Sequence, residues 1–309
     1  MSKVKKVLLT ILAALIGVLL LFCAAFYVFF DVPDWQKLDI SKLSALAQTS
    51  SMYDMNGELM SELRGSENRI IVSLDEIPLH TRQAFIAAED LRFYDHRGID
   101  VYRILGALRS NLKSGSLAEG ASTITQQLAK LTHLSAEKTI RRKLEEINLA
   151  FQIEKVYNKD EILAMYLNTV YFGRGAYGIQ AAAQAYFGVD AEDLTLNQSA
   201  SLAAIIKAPS IYAPHISPSN NRSRRQYILS VMAENGFISQ EEKQAALDES
   251  IWVLAQEAEK QLYSWYIDEA LRESAELLGL SADEVIQGGF RIYTAYDARL
   301  QTIADEVYA

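Results

Sequence analysis

The hydrophobic and polar positions divide the chain into an apolar amino-terminal run and a longer body of mixed pattern. No charged residue occurs from position 7 to position 30. A helix of this length would extend about 36 Å and cross a hydrocarbon core of about 30 Å. A cleaved signal peptide is the alternative, but the run exceeds the roughly 7–15 apolar residues typical of one. We therefore predict a transmembrane helix at residues 7–30.

The charges beside this segment predict its orientation. Lys3, Lys5 and Lys6 precede it, and no acidic residue accompanies them. Because basic residues favour the cytoplasmic side, residues 1–6 should form a cytoplasmic tail. The chain is therefore expected to be a single-pass protein of the cell membrane, with its body outside the cytoplasm.

The pattern after the apolar run predicts a small β hairpin. In residues 31–64, the runs Met52–Met55 and Glu58–Leu63 flank Asn56-Gly57, a dipeptide that tolerates the positive φ angles of a tight turn. A separate β-rich run, Phe290–Tyr296, occurs near the end of the sequence. We expect this late run to pair with the hairpin strands.

Most of the remaining body follows a helical period. No proline occurs between residues 79 and 208, and apolar side chains recur there at helical spacing. The clearest helix is predicted at Thr139–Val156, with Ser135 as a candidate amino-terminal cap. Its core-facing stripe is predicted to consist of Ile140, Leu144, Ile147 and Phe151. The opposite face carries Lys138, Arg142 and Glu146. The predicted fold class is therefore mainly α.

Composition and charge exclude several classes of protein. The formal net charge of −9 argues against a general nucleic-acid binder. The single cysteine, Cys23, excludes an intrachain disulfide and a cysteine-rich zinc site. Between Leu91 and Lys143, however, ten Lys or Arg residues accompany only four Asp or Glu residues. This local excess of positive charge predicts an anion-binding site.

A first candidate site follows the apolar run Phe85–Ala88. Glu89 and Asp90 are adjacent carboxylates there, and burial at a helix end would raise the pKa of Glu89 and make it a better base. The alternative is a solvated helix terminus, with His96 as a structural histidine. The residues by themselves leave both interpretations open.

Two further segments carry candidate chemistry. In Gly120–Gln127, a serine and a threonine can cap the following helix, and an ordinary cap is the alternative to a substrate site. From Lys138 to Glu146, cations near a positive helix end are unfavourable unless an anion is bound. The alternative there is a solvated face with an Arg142–Glu146 ion pair.

Taken in order, these motifs resemble the glycosyltransferase domain of class A penicillin-binding proteins and of monofunctional peptidoglycan glycosyltransferases, family 51. The pattern E-D-x-x-F-x-x-H-x-G is met from Glu89 to Gly98, and G-x-S-T-I-T-Q-Q from Gly120 to Gln127. The pattern R-K-x-x-E is met from Arg142 to Glu146, and K-x-x-I-L-x-x-Y-L-N from Lys159 to Asn168. The pattern R-x-x-x-V-L is met from Arg224 to Leu229, with isoleucine in place of valine.

The resemblance implies a lysozyme-like α fold with a small jaw lobe at residues 65–240, after a membrane-proximal hairpin region. Residues 241–309 resemble a small mixed α/β linker, so we expect the chain to be truncated before a transpeptidase domain. The implied reaction polymerises lipid II, inverts the anomeric carbon of the growing strand and releases undecaprenyl pyrophosphate. The implied partners are lipid II, the glycan strand, the membrane and a cell-wall synthesis complex. No cofactor is required by the sequence, although a divalent Mg or Mn ion is compatible with it.

By the same resemblance, the site residues take separate roles. Glu89 is the general base on the acceptor 4-hydroxyl, and Glu146 is the second acidic residue. The donor pyrophosphate is expected to be held by Lys130, Lys138 and Arg142, in agreement with the local positive charge. Further substrate-binding candidates are Ser122, Thr123, Gln126, Gln127, His96 and Asn168.

Two other functions stay open from the sequence. A lysozyme-like peptidoglycan hydrolase would need one acidic residue and no row of cations. A non-catalytic membrane scaffold for cell-wall assembly would need neither Glu89 nor Glu146. The complete set of ordered motifs favours the glycosyltransferase.

Overall fold

A computed structural model describes residues 13, 16–17, 19–20, 37–40, 43, 49–63, 68–114, 122–134, 139–255, 264–286 and 288–308. The chain forms two units, Met1–Leu38 and Asp39–Ala309. Most of the predicted transmembrane segment lies outside the described residues, and positions 13, 16, 17, 19 and 20 within it are helical. Among the residues that are described, no helix is both long and apolar enough to span a bilayer.

The second unit is mostly helical in its described part, which confirms the mainly α class. Its helices are α1 (Leu79–Glu89), α2 (Val101–Ser114), α3 (Ile124–His133), α4 (Ile140–Val156), α5 (Lys159–Thr169), α6 (Ile179–Phe187), α7 (Leu196–Ile205), α8 (Pro209–Tyr212), α9 (Pro218–Glu234), α10 (Gln240–Asp248), α11 (Ser264–Leu278), α12 (Ala282–Ile286) and α13 (Ala298–Tyr308). Its strands are β1 (Ser50–Tyr53), β2 (Leu59–Leu63), β3 (Asn68–Arg69), β4 (Ala176–Tyr177) and β5 (Arg291–Tyr293). The lysozyme-like arrangement with a jaw lobe stays a prediction.

The predicted hairpin and its late partner are both present. β1 pairs antiparallel with β2, and the connection passes through Gly57, whose φ of 81° suits glycine. β5 pairs parallel with β1 on its other edge, so the strand order is β2-β1-β5. This confirms that the late β run pairs with the hairpin. β3 and β4 form a separate parallel pair.

Polar caps fix where the helices around the site begin. Thr123, Thr139 and Asn158 precede α3, α4 and α5, and each side chain accepts a hydrogen bond from a backbone N–H of the first turn. The expected cap of α4, Ser135, lies outside the described residues. Since Thr139 caps the helix, α4 begins later than a cap at Ser135 would require.

Helix α1 packs in the core against α7 and α9. α7 packs against both α1 and α9, while α3 packs against α4 and α5. On α1, the buried ring of Phe85 contacts Phe172 edge to face, with ring centroids 5.8 Å apart. Burial of such a side chain contributes about 1.5–3 kcal/mol. The last turn of α1 is therefore anchored in the core.

The inward face of α4 differs from the predicted one. Ile140 is 81% exposed, and the other three positions of the predicted stripe are only partly buried. The buried side chains of α4 are Glu146, Leu149, Ala150 and Ile153. The prediction of the stripe was wrong because it placed Glu146 on the face opposite the core. Cations of the same helix pair with the Glu146 carboxylate, so it can be buried.

Candidate active site

Glu89 is the last residue of α1 and is half-buried. Its Oε2 accepts a hydrogen bond of 2.7 Å from Nε2 of Gln127. The Oε1 atom of the same glutamine accepts from the hydroxyl of Tyr166 at 3.4 Å. Burial, together with the negative charges of Glu89 and Asp90, raises the pKa of Tyr166 well above its usual value, so the phenol stays a donor. Uncharged groups therefore hold the Glu89 carboxylate.

The electrostatic surroundings of Glu89 favour its protonated form. Burial raises the pKa of the carboxyl. The hydrogen bond from Gln127 and the positive charges of Arg224, Arg103 and Lys130 act in the opposite direction. Because burial prevails, Glu89 is a stronger base than an exposed glutamate. This supports the catalytic interpretation of the first motif over the solvated helix end.

Asp90, the residue after Glu89, contacts His96 and the start of α3. Asp90 is 1% exposed, and its Oδ2 accepts a hydrogen bond of 3.0 Å from the backbone N–H of Ile124. His96 Nε2 lies 2.9 Å from the same Oδ2. These contacts join the end of α1 to the start of α3. In this structure His96, a predicted substrate-binding residue, contacts the Asp90 carboxylate.

Glu146 is surrounded by charged partners. It is 3% exposed on α4, and its Oε2 lies 3.2 Å from Nη1 of Arg142. Its Oε1 pairs with the ammonium of Lys143 and accepts from Nε2 of Gln126 at 3.3 Å. The same ammonium donates to the hydroxyl of Ser122 at 2.7 Å. Glu146 therefore positions two cations and, through one of them, Ser122.

Helix α3 connects the two carboxylates. Its neighbouring side chains Gln126 and Gln127 donate to Glu146 and Glu89 respectively. Thr123 and Gln126 also form a reciprocal capping box, with both hydrogen bonds at 3.1 Å. Thr123 and Gln126 are buried, so they support the start of α3 rather than form part of the exposed surface.

The other predicted binding residues lie in different surroundings. Asn168 is buried, and its amide forms hydrogen bonds of 3.0 and 2.8 Å with the backbone of Val72. Lys130 is exposed on α3, within electrostatic reach of Glu89. Lys138 lies outside the described residues.

A groove of about 480 Å³ opens beside Glu89. It lies between the end of α1, the start of α2 and one face of α9, and its lining includes Glu89, Arg92, Tyr102, Arg103, Tyr227 and Glu234. Its volume is within the range of small-molecule sites. In the described part of the chain, no group of three or more His, Cys, Asp or Glu side chains is arranged to hold a metal ion.

Three residues near Glu89 are absent from the predicted set. Arg103 donates to the backbone carbonyl of Glu89, and Tyr166 orients Gln127. Among the positive charges that lower the pKa of Glu89, that of Arg224 has the largest effect. Tyr166 and Arg224 occupy positions of the quoted motifs, so the sequence did carry a signal for them. Arg103 lies outside every motif, and its role depends on the path of α2.

Comparisons with known proteins match most of the chain. Residues 56–233 match the family model described as Transglycosylase. The chain is 40% identical over 300 residues to penicillin-binding protein 1F of Bacillus subtilis, covering 97% of this chain and 40% of that protein. It is 45% identical over 287 residues to penicillin-binding protein 1A/1B of the same organism, and the match covers 89% of this chain and 30% of that protein. Identity to penicillin-binding protein 1A of Escherichia coli is 41% over 255 residues, covering 82% and 30%.

The matched family region contains both carboxylates and both glutamines of the site. The chain spans between 30% and 40% of the length of these three relatives. The prediction of a glycosyltransferase domain related to penicillin-binding proteins is confirmed. With a family match over more than half of its residues, the chain belongs to the transglycosylase family.

Proposed function

We propose that the chain polymerises lipid II into peptidoglycan strands, with the growing strand as donor and undecaprenyl pyrophosphate as leaving group. The observation that carries this proposal is the Glu89 carboxylate, which borders a groove, is held by an uncharged amide and has its pKa raised by burial. A general base of raised proton affinity accelerates transfer typically about 10²–10⁴-fold. Glu89 would take the proton of the acceptor 4-hydroxyl as that oxygen attacks the anomeric carbon.

The cations of α3 and α4 support the other half of the reaction. A departing pyrophosphate is an anion, so fixed positive charge stabilises the transition state. Lys130 is exposed, and Arg142 and Lys143 retain 18% and 41% side-chain exposure while paired with Glu146. Glu146 would hold Arg142 and Lys143 at the pyrophosphate, and Lys130 and Lys138 would add further positive charge there.

The membrane is part of the same proposal. The uncharged run at residues 7–30 is long enough to anchor the chain, and a lipid-linked substrate requires a site close to the bilayer. We propose a single-pass membrane protein whose catalytic domain lies outside the cytoplasm, with proteins of cell-wall synthesis as partners.

One assay separates this proposal from its alternatives. Detergent-solubilised protein is incubated with labelled lipid II, and in parallel with preformed glycan strands. New polymer that is absent with Glu89→Gln supports the glycosyltransferase. Shortening of preformed strands without new polymer would support the hydrolase, and no change in either substrate would support the scaffold.

A further inference from the structure

A second cavity, of about 490 Å³, shares no lining residue with the groove beside Glu89. It lies between the first turns of α9, the carboxyl end of α10 and the segment that follows α10. On α9, Tyr227 and Val231 line the groove, whereas Arg222 and Arg225 line the second cavity. One helix therefore presents different side chains to two separate cavities.

Arg225 is the unusual group of the second cavity. It is 7% exposed, and its Nε is buried without a hydrogen-bond partner. Among the residues that the structure describes, its guanidinium has no direct ion-pair partner, and Glu249 acts on it only at longer range. Burial lowers the pKa of Arg225, and the charge of Arg222 lowers it further. A buried cation in this state is costly unless an anion reaches it.

The other lining groups restrict what the anion can be. Asn221 is already engaged, because its amide donates to the carbonyls of Ser201 and Tyr212 at 3.2 and 2.9 Å. Asp248 and Glu249 are also lining residues, and their carboxylates accept hydrogen bonds from Gln244 at 2.9 Å and from Thr195 at 3.3 Å. These carboxylates repel a doubly charged phosphate more strongly than a singly charged anion, and their remaining lone pairs can accept hydrogen bonds from amide N–H groups. The lining thus favours a singly charged ligand that also carries donors.

We propose that this cavity binds the terminal carboxylate of a short peptide, with Arg225 as its principal partner. A guanidinium binds a carboxylate through two parallel hydrogen bonds, which suits a single buried arginine. Arg222 adds positive charge, and Trp252, 81% exposed, offers an aromatic surface for a side chain of the peptide. This inference does not depend on the proposed function.

Direct titration tests this site, with Trp252 as the reporter. The full chain in detergent is titrated with N-acetyl-alanyl-alanine, with its carboxyl-terminal amide and with inorganic phosphate, while tryptophan fluorescence is recorded. We expect saturable binding of the free acid with a dissociation constant of about 1 mM or below, and at least about tenfold weaker binding of the other two probes. Trp252→Phe should abolish the signal.

Variants assign the binding to the two arginines. Arg225→Lys keeps the charge but loses the second hydrogen bond, so affinity should fall about tenfold. Arg222 is exposed, so Arg222→Ala tests the site even if the buried position does not tolerate substitution, and a severalfold loss is expected. Arg272→Ala is the matched control, because it removes one positive charge from α11, where Arg272 pairs with Glu269 and Glu276.

The following results would overturn the proposal. They are the absence of a saturable signal with the free acid, equal affinity for acid and amide, preferential binding of phosphate, and an unchanged affinity in both cavity variants. An equal loss in Arg272→Ala would also overturn it, because net charge rather than a defined site would then explain the binding.

Discussion

Glu89 and Glu146 contact neighbouring glutamines of α3, but the two carboxylates have different partners. Glu89 accepts a hydrogen bond from an uncharged amide, and the cations that act on it are more distant. Glu146 is paired directly with Arg142 and Lys143 on its own helix. One carboxylate is therefore available to receive a proton, whereas the charge of the other orders two cations.

This difference supports the separate roles proposed above for the two glutamates, which residue type alone does not distinguish. A base must gain a proton during the reaction, so a directly paired cation would work against it. A buried carboxylate that organises cations needs those pairs, because an unpaired buried charge is costly. The comparison therefore predicts that the two glutamates fail differently when each is replaced by glutamine.

The largest expected effect is the loss of polymerisation in Glu89→Gln. The amide keeps the size of the side chain but cannot accept the proton, so turnover should fall about 10²–10⁴-fold. Binding of lipid II should be retained, which a direct binding measurement checks. Turnover within threefold of the unmodified chain would remove Glu89 from the role of base.

The next effect concerns the cations that Glu146 orders. Arg142→Ala should lower turnover by about 10²-fold, because it removes one fixed charge from the proposed pyrophosphate site. It should also weaken inhibitors that mimic the donor pyrophosphate. Arg142→Lys should recover only part of both losses, because the guanidinium fork is absent. Unchanged inhibitor affinity in Arg142→Ala would assign the ion pair a purely structural role.

The free energy of unfolding should fall in Glu146→Gln but not in Glu89→Gln, although Glu89→Gln is expected to lose the most activity. Glu146→Gln leaves the partly buried cations without their carboxylate, so the free energy of unfolding should fall by about 1–3 kcal/mol. Glu89→Gln should not be destabilised at neutral pH. Because the pKa of Glu89 is raised in the folded protein, the folded state loses stability as pH rises from the ordinary glutamate pKa through the raised pKa. Glutamine does not titrate, so Glu89→Gln should not show this loss. Denaturant unfolding of both variants across this pH range tests the contrast, and equal destabilisation would contradict it.

The sequence predicted the positions of helices and strands better than it predicted which side of a helix faces the core. The Asn56-Gly57 hairpin and the pairing of the late β run were correct, because turn chemistry and β-rich composition are local signals. The core-facing stripe of α4 was wrong, because periodicity cannot show that Arg142 and Lys143 neutralise a buried Glu146. The pattern of polar and apolar residues does not show which charged side chains pair with each other and can therefore be buried.

The candidate site was predictable only where a motif included the residue. Glu89 and Gln127 occur in separate motifs, and their 2.7 Å hydrogen bond depends on where the fold places the end of α1 relative to α3. Arg103 reaches the Glu89 carbonyl from α2, which no motif covers. These contacts join residues that are distant in the sequence, so the spacing of residues within a motif does not predict them.

The smallest expected effect tests the two glutamines of α3 against each other. The hydrogen bond from Gln127 lowers the pKa of Glu89, so Gln127→Ala should raise that pKa further. As the proposed base, Glu89 would act in its deprotonated form, so activity should be lost as pH falls through its pKa. The acidic limb of the kcat/KM profile should therefore move to higher pH in Gln127→Ala, while activity on the alkaline plateau stays close to that of the unmodified chain. Gln126→Ala is the matched control, because the adjacent side chain contacts Glu146 instead and should leave the acidic limb in place. The control also loses a capping box, so both profiles must be recorded below its unfolding temperature. An equal displacement of the limb in both variants would show that α3 affects the two carboxylates as one unit, and the distinction between them would then fail.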